Sequence, residues 1–345
     1  MNRRRFLGMA SSLAAAGRPA VAAPVPARLL TPYKVNRLVV APSGTHGAFD
    51  EKFVDSPFVY SHGGRFYMVF IGYDGTGYQT GLASSENLID WKPEGLLLGR
   101  DPYSDLFRYN VALSWILREN DVFSPGRPKK VGDRYVGVYH AYPQPGYEAG
   151  PAVIGLCRSR DLRKWEMEPP ILRPEDGARW ERGGLYKPCL VEDRGVFHLF
   201  YNAKTAEKPW REQTGAATSA DLRTWKRHPS NPIIVNGPAG SPDERFASDP
   251  CVVSVGKQWA LFYFGLDASG VARDLLALSP DLVRVTKCDG AVVDVGPPGS
   301  IDEKYAHKAS VISHGGVLYH FYCAVSKQNR RGISVALSRP LPETK

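Results

Sequence analysis

The sequence of 345 residues lacks long apolar runs, basic tracts and paired cysteine motifs, and each absence argues against one class of protein. Beyond the N-terminus, no segment is long and apolar enough to span a membrane. The formal charge of +9 comes from Lys and Arg scattered along the chain, so no nucleic-acid partner is indicated. The five cysteines form no Cys-x-x-Cys pair or Cys/His cluster, so we expect neither a metal nor a cofactor.

The N-terminus has the features of an export signal. Residues 3–5 are all Arg, Phe6 follows them, and a mildly apolar stretch then leads to small residues that end at Ala23. This order is typical of a twin-arginine signal peptide with its cleavage site. We therefore expect residues 1–23 to be a signal, residues 24–345 to form one domain, and the protein to be periplasmic or secreted.

A short pattern, Ser-x-x-Leu, occurs five times and defines the architecture. It recurs about every 60 residues, with one longer interval of 74, and each copy follows an aromatic-rich stretch such as RFYMVF or VFHLFY. The copies begin at Ser85, Ser159, Ser219, Ser279 and Ser338. Repeats of this length with alternating short strands predict an all-β fold, a five-bladed β-propeller.

The last repeat stops soon after Ser338 and lacks an outer strand. The apolar segment Val35–Val40 can supply that strand by pairing with Ser334–Leu337. Such closure would leave no exposed sheet edge. The second repeat has extra residues near positions 101–121, which predict a rim loop or short helix. One alternative is that Tyr103, Phe107, Tyr109 or Trp115 in this insertion forms a wall of a pocket.

The repeat S-x-D-L-x-x-W, together with Asp-x-Pro-like motifs on the first strand of each repeat, resembles the five-bladed propeller glycoside hydrolases. These include families 32, 43, 62, 68, 117 and 130. The resemblance covers about residues 35–341 and implies a saccharide substrate, an oligo- or polysaccharide. In a propeller the first strands begin at the central channel, so side chains there converge on one pocket. Alignment on the inner-strand Pro predicts five converging pairs: Asp55-Ser56, Phe123-Ser124, Tyr186-Lys187, Ser248-Asp249 and His307-Lys308.

Glycoside hydrolysis needs two groups that handle protons on either side of the anomeric carbon. The resemblance implies that Asp55, on the first repeat, is the carboxylate that activates water. Families 43 and 32 take their acid from a Glu of the third repeat, where this chain has Lys187. Glu181 lies upstream, but Glu recurs at similar positions in other repeats, which favours an architectural role. His307, as in family 117, and Asp249 are the other candidates for the acid.

Four further residues are candidates for substrate binding. Lys187 and Lys308 point to the channel, where they would neutralise carboxylates or bind an anionic group of the substrate, such as a uronate, sulfate or phosphate. His140 and Asn202 end their aromatic strands at equivalent places, which predicts contact with the sugar. With Glu181, these residues complete the predicted substrate-binding set.

The sequence therefore predicts a glycoside hydrolase, exo-acting and inverting, that releases a terminal sugar. A narrow channel closed at one end favours cleavage at a chain end. Two alternatives stay open: a glycoside phosphorylase of the same fold, which would need phosphate, and a non-catalytic carbohydrate-binding propeller. The binding module gains support if Asp55 and Asp249 are held in salt bridges by the channel lysines.

Overall fold

The computed structural model describes residues 23–341, and nearly all of its regular structure is β-strand. Strands β1 (Ala23–Pro24) and β2 (Tyr33–Lys34) come first, with a 3-10 turn at Ala27–Leu29 between them. Two further 3-10 turns lie at Pro174–Asp176 and Arg179–Glu181. The prediction of an all-β fold is confirmed, and within residues 23–341 no helix has the length and apolar character that a membrane span requires.

The other strands form five successive antiparallel units, here called meanders 1 to 5. Meander 1 contains β3 (Phe53–His62), β4 (Arg65–Tyr73), β5 (Tyr78–Ser85) and β6 (Lys92–Leu98). Meander 2 contains β7 (Ala112–Ile116), β8 (Lys130–Val131), β9 (Arg134–Ala141), β10 (Val153–Ser159) and β11 (Trp165–Leu172). Meander 3 contains β12 (Gly184–Asp193), β13 (Val196–Lys204), β14 (Glu212–Ser219) and β15 (Lys226–Arg227). Meander 4 contains β16 (Phe246–Val255), β17 (Gln258–Leu266), β18 (Ala272–Ser279) and β19 (Thr286–Asp289), and meander 5 contains β20 (Tyr305–His314), β21 (Val317–Val325) and β22 (Arg331–Leu337).

The first strand of each meander is its inner strand, because these strands contact one another around the centre of the molecule. Parallel bridges join meanders 3, 4 and 5 into one hydrogen-bonded sheet, whereas meanders 1 and 2 form separate sheets. All three strands of meander 5 pack against β3, so the last meander lies beside the first. The hydrogen bonding does not form a single closed sheet, but the packing is circular.

The Ser-x-x-Leu pattern is a turn whose two named residues have separate roles. Ser159 Oγ accepts hydrogen bonds from the amide N–H groups of Asp161 and Leu162, at 3.2 and 2.8 Å. Leu162 adopts a left-handed conformation, with φ of +62°, and its side chain is buried in the core. The serine therefore holds the turn while the leucine anchors it. The same left-handed, buried leucine recurs at Leu88, Leu222 and Leu282.

The N-terminal segment runs along the last strand of meander 5. Strand β2 pairs antiparallel with β22. Further along, the amide N–H groups of Val39 and Val40 both donate to the Ile333 carbonyl, at 2.8 and 3.3 Å. Lys34 also forms an ion pair of 2.6 Å with the buried carboxylate of Asp302. The two ends of the described chain are therefore held together by backbone and side-chain contacts.

The buried side chain of Arg118 links the inner strands near the middle of the molecule. Arg118 Nη2 donates to the Val311 carbonyl at 2.7 Å, and Nη1 donates to the Val59 carbonyl. Its guanidinium lies 5.2 Å from the ring of Phe58 and 5.0 Å from that of Trp115. This single side chain links meanders 1, 2 and 5, and it occupies the middle of the molecule with backbone acceptors and aromatic faces as partners.

The extra length of the second repeat differs from the expected rim loop or helix. It contains β7, which is the inner strand of meander 2 and pairs with β9. Trp115 on this strand is buried, and Phe107 packs at 5.2 Å against the core residue Tyr139. Tyr103 is fully exposed. The insertion thus supplies a structural strand, which the sequence did not reveal because β7 lacks the Pro motif of β3, β12 and β16.

Candidate active site

Each complete inner strand is interrupted by a bulge that presents a polar side chain. Pairing with the second strand breaks at Ser56, Lys187, Asp249 and Lys308, whose φ angles are +58°, +51°, +50° and +70°. None of these is glycine, so each carries backbone strain. Strained bulges of this kind redirect side chains and occur next to active sites. The four bulges belong to meanders 1, 3, 4 and 5.

In meander 2 the bulge position is occupied by Ser114. The predicted pair Phe123-Ser124 is therefore wrong. Strand β7 breaks register between Leu113 and Trp115, which makes Ser114 the counterpart of the other bulge residues. Phe123 instead lies half-exposed at the opposite end of the molecule, beside Ser313 and His314. The alignment failed because it followed the Ser-Pro of residues 124–125, whereas the inner strand of meander 2 carries no Pro.

A small void lies between the bulges and is large enough for water. Its volume is about 30 Å³, and a buried water needs roughly half of that. Its walls include side chains of all five meanders: Ser56, Ser114, Lys187, Asp249 and Lys308. Lys187, Asp249 and Lys308 therefore meet at this void, whereas Asp55 and His307 do not line it.

Above the bulges, toward the ends of the hairpins, a cavity of about 270 Å³ opens. Its floor includes Asp249, His307 and Lys308. Its walls combine aromatic rings with charged groups, as in sites that bind sugars through stacking and hydrogen bonds. The wall residues include Tyr147, Glu148, Tyr186, Trp210, Glu212, Arg245, Phe246, Phe264, Tyr305 and Arg331.

Asp55 is held beneath this cavity and does not line it. Its Oδ2 accepts hydrogen bonds from Lys308 Nζ at 2.9 Å and from Arg331 Nη1 at 2.8 Å, and Ser56 Oγ lies 3.2 Å from Oδ1. Burial by itself would raise the pKa of Asp55, but the ammonium of Lys308 and the guanidinium of Arg331 outweigh it and hold the pKa well below its usual value. Asp55 is thus an ionised counter-charge for two buried cations.

Asp249 and Glu212 are neighbouring carboxyl groups that share a hydrogen-bond donor, and both line the cavity. Asn202 Nδ2 donates to Asp249 Oδ1 at 2.8 Å and to Glu212 Oε2 at 3.0 Å. Burial raises the pKa of Asp249 to about 7, against the opposing influence of Lys308. Burial, followed by the nearby Glu148, also raises the pKa of Glu212. A carboxyl with a pKa near 7, as in Asp249, is the type that serves as a general acid.

The two predicted histidines are both neutral, for the same reason. Burial, and then the nearby lysine ammonium groups, hold the pKa of His307 and of His140 well below the usual value. His307 Nδ1 lies 3.1 Å from the Cys323 carbonyl, which places the proton on Nδ1 and leaves Nε2 as an acceptor. His140 Nδ1 lies 2.8 Å from Ser114 Oγ. His307 lines the cavity, whereas His140 is buried behind Ser114.

The two channel lysines have different electrostatic environments. Burial lowers the pKa of Lys308, but Asp55 more than compensates and the pKa lies well above the usual value. Its Nζ is also 4.0 Å from Asp249 Oδ2. Lys187 has no ion pair within 4.0 Å in residues 23–341, and burial followed by repulsion from Lys308 lowers its pKa to about 8. Lys308 is therefore a fixed cation, whereas Lys187 can change its protonation state near neutral pH.

Glu181 lies away from both the void and the cavity. Its Oε1 accepts hydrogen bonds from the Tyr201 hydroxyl at 2.6 Å and from Arg227 Nε at 3.1 Å, and Oε2 accepts the Ala178 amide at 2.8 Å. The predicted role in substrate binding has no geometric support, because every oxygen is used within the fold. The same arrangement of tyrosine, carboxylate and cation recurs as Tyr263–Asp243–Lys287 and Tyr322–Asp302–Lys34.

The sequence predictions missed four charged residues of the cavity: Glu148, Glu212, Arg245 and Arg331. Glu212 and Arg331 are each the first residue of the third strand of a meander, and both line the cavity. The repeat contains this equivalence, but on the third strand of each meander, two strands beyond the inner-strand motif used for the alignment. Glu148 lies in the loop between β9 and β10, where nothing repeats, so no sequence signal identified it. In residues 23–341 no cluster of three or more His, Cys, Asp or Glu is arranged to hold a metal ion.

Strained polar bulges around an axis, below a cavity lined by carboxyls and aromatic rings, are features of a carbohydrate-active enzyme on a propeller-type fold. Residues 124–284 match the family model "Glycosyl hydrolases family 32 N-terminal domain". A solved structure described as a BT0996 complex with RGII is similar, with a TM-score of 0.80 and 30% identity over 92% of this chain and 94% of the other. The chain belongs to the superfamily of β-propeller glycoside hydrolases, which confirms the family predicted from the sequence.

Two curated relatives show the range of activities among similar proteins. The 1,2-beta-oligomannan phosphorylase of Thermoanaerobacter sp. (strain X514) is 26% identical over 155 residues, which are 44% of this chain and 43% of that protein. The levanase of Bacillus subtilis (strain 168) is 27% identical over 183 residues, which are 49% of this chain and 25% of that protein. The matched regions cover less than half of either relative. Both a phosphorylase and a hydrolase are therefore among the similar proteins.

Proposed function

We propose that this protein is an exo-acting, inverting glycoside hydrolase that releases a terminal sugar from an oligo- or polysaccharide. One observation carries the proposal: Asp249, whose pKa burial raises to about 7, lies beside Glu212 in a cavity lined by aromatic rings. The strained bulges and the buried Arg118 lie below this cavity and leave no room for a polysaccharide chain to pass through. A cavity of this shape favours binding of a chain end.

The same proposal includes the architecture and the cellular location. The five meanders are the blades of a five-bladed propeller, and the segment that contains Val35–Val40 acts as the missing outer strand of the last blade. Its pairing with β22 and the contacts of meander 5 with β3 support this. Residues 24–345 would then be one catalytic domain, exported by a twin-arginine signal to the periplasm or beyond. That signal lies outside the described residues, except for Ala23.

We assign the proton donor to Asp249, because it is the carboxyl of the pair with fewer hydrogen bonds. Asn202 donates to its Oδ1, whereas Glu212 accepts from Asn202, Ser248 and Trp210. Asp249 also lines both the cavity and the void beneath it. In this mechanism Asp249 gives its proton to the leaving oxygen, while Glu212 holds Asn202 in place beside Asp249.

We assign the activation of water to Glu148, in place of Asp55. Glu148 belongs to meander 2, lines the cavity and is partly exposed, so water reaches it. Asp55 has one oxygen held by two cations, and its depressed pKa makes it a weak base. An inverting mechanism requires the two carboxyls to stand roughly 6.5–9.5 Å apart, with the water between one of them and the sugar.

Two alternatives have specific observations in their favour. Arg245 lines the cavity and, among the described residues, has no carboxylate within 4.0 Å, so it could receive phosphate in a phosphorolytic reaction. The relative that is a phosphorylase points in the same direction. The salt bridge between Asp55 and Lys308 favours the second alternative, a non-catalytic carbohydrate-binding module, for which such a salt bridge was the expected support.

The deciding experiment is a screen of plant, algal and bacterial oligosaccharides with the mature protein, with and without inorganic phosphate. Release of a terminal sugar without phosphate supports hydrolysis, and turnover that requires phosphate supports phosphorolysis. Asp249→Asn is the diagnostic variant, and Glu181→Gln is the matched control because it lies outside the cavity. Tight binding without turnover by the unmodified protein would favour the binding module.

A further inference from the structure

A second groove adjoins the candidate active site and is called here the basic groove. It has a volume of about 510 Å³ and lies between the β9–β10 loop (142–152) and the β13–β14 loop (205–211). It shares Tyr147, Glu148 and Trp210 with the cavity. A glycan whose end occupies the cavity would therefore continue into this groove.

The groove carries an uncompensated positive charge. Its lining includes Arg182, Lys204 and Lys208 but only one carboxylate, Glu148. No carboxylate lies within 4.0 Å of any of these three cations among residues 23–341. The neighbouring acid Glu207 does not neutralise them, because it pairs with Arg179 at 2.6 Å.

Two other loops of the same rim carry charged residues that are paired, unlike those of the basic groove. On the β4–β5 loop, Asp74 pairs with Arg100 at 2.5 Å. On the β17–β18 loop, Asp267 pairs with Arg273 at 2.9 Å. The side chains of both pairs are only 12–22% exposed. In the basic groove, by contrast, three cations lie together without a carboxylate partner in the described part of the chain.

Lys204 is held in the groove by aromatic rings. Its Nζ donates one hydrogen bond, of 3.2 Å, to the Glu148 carbonyl. It lies 5.5 Å from the ring of Tyr186, 5.6 Å from that of Tyr142 and 6.0 Å from that of Trp210. Ring faces attract a cation but accept none of its conventional hydrogen bonds, so two N–H groups stay available to a ligand.

We propose that the basic groove binds an anionic sugar residue adjacent to the terminal sugar, so that the substrate is an acidic oligosaccharide. This inference rests on the proposed function for the position of the terminal sugar. The anionic group is a uronate carboxylate or a sulfate ester, since both accept hydrogen bonds from ammonium and guanidinium groups. Trp210 stacks against the sugar ring at the boundary between the two sites, where its side chain is 39% exposed.

The test uses an array of immobilised plant, algal and bacterial oligosaccharides, probed with the mature protein. Identical arrays are treated beforehand to reduce carboxyl groups or to remove sulfate esters. The diagnostic variant is R182A/K208A, in which both side chains are exposed. The matched control is K92A/K257A, which removes the same charge from exposed positions outside the basic groove.

We expect the unmodified protein to bind acidic glycans, with signals that disappear after carboxyl reduction if the group is a uronate or after desulfation if it is a sulfate. R182A/K208A should weaken this binding at least about tenfold, and K92A/K257A should not. Binding that survives both chemical treatments, an absence of any binding, or equal losses in the two double variants overturns the proposal. Retention of acidic glycans without release of sugar would refute the proposed function and leave this inference standing. Cleavage of neutral glycans alone would support the proposed function and refute this inference.

Discussion

Lys308 Nζ donates a hydrogen bond of 2.9 Å to Asp55 Oδ2, which joins the inner strands of the last and first meanders. The carboxylate is also 2.8 Å from Arg331 Nη1. Asp55 and Lys308 are buried and the side chain of Arg331 is only 15% exposed, so the ion pairs compensate charges that are largely removed from solvent. Asp55 thus positions two cations at the floor and wall of the cavity.

The first prediction concerns this ion pair. Asp55→Asn should lower the free energy of unfolding by about 3–5 kcal/mol, because it leaves Lys308 and Arg331 buried without their counter-charge. D55N/K308M should recover part of the loss, since one unpaired cation is then removed. Urea unfolding measures both effects. A large loss of turnover at unchanged stability would instead favour Asp55 as the base predicted from the sequence.

The second prediction concerns the proton donor. Asp249→Asn should reduce kcat on natural linkages about 10²–10⁴-fold. Substrates with activated aryl leaving groups should be affected far less, because those groups depart without protonation. In the unmodified enzyme, kcat/KM should fall as the pH rises above about 7, where Asp249 loses its proton. Equal losses on both kinds of substrate would exclude Asp249 as the acid.

The third prediction follows from the raised pKa of Asp249. A carboxyl with a raised folded-state pKa stabilises the fold below its unfolded pKa, and this contribution is lost as the pH rises through about 7. Asp249→Asn remains neutral throughout. The Tm of this variant minus the Tm of the unmodified protein should therefore increase between pH 4 and pH 8. Most of this change should be complete near neutral pH. Differential scanning fluorimetry tests this, and a Tm difference that is independent of pH would contradict it.

The fourth prediction separates Glu181 from the active site. Glu181→Gln should lower the free energy of unfolding by about 1–3 kcal/mol, because Tyr201 and Arg227 lose a charged acceptor. It should leave kcat/KM unchanged. Asp243→Asn, which alters the equivalent contacts in meander 4, should behave in the same way. If Glu181→Gln raises KM without a change in stability, Glu181 binds substrate as the sequence suggested.

The fifth prediction tests the assignment of the water-activating group. Glu148→Gln should reduce hydrolysis about 10²–10⁴-fold while the protein stays folded, since Glu148 is partly exposed and has no ion pair in the described residues. Azide should restore some turnover, because a small nucleophile does not need activation by a base. If Asp55→Asn responds to azide and Glu148→Gln does not, the assignment reverses.

The sequence by itself determined the all-β class, the repeat and the superfamily, because these depend on local patterns. Ser-x-x-Leu encodes a turn through one hydroxyl and one buried side chain, and alternation encodes half-buried strands. The Pro that follows three of the bulges, with Ala309 at the same place in the last repeat, identified Asp55, Lys187, Asp249 and Lys308 as residues near the axis. Each of these signals lies within a few neighbouring residues, so it is legible without knowledge of the fold.

The tertiary structure decided which of these side chains are paired and which can react. Asp55 and Asp249 lie one position apart in the aligned inner strands, yet Lys308 and Arg331 hold the pKa of Asp55 well below its usual value while burial raises that of Asp249 to about 7. Glu212 and Glu148 enter the site from other strands and loops, and Ser114 replaces the expected pair of the second repeat. Charge states and partners depend on groups brought together from distant parts of the chain, and only the folded arrangement determines them.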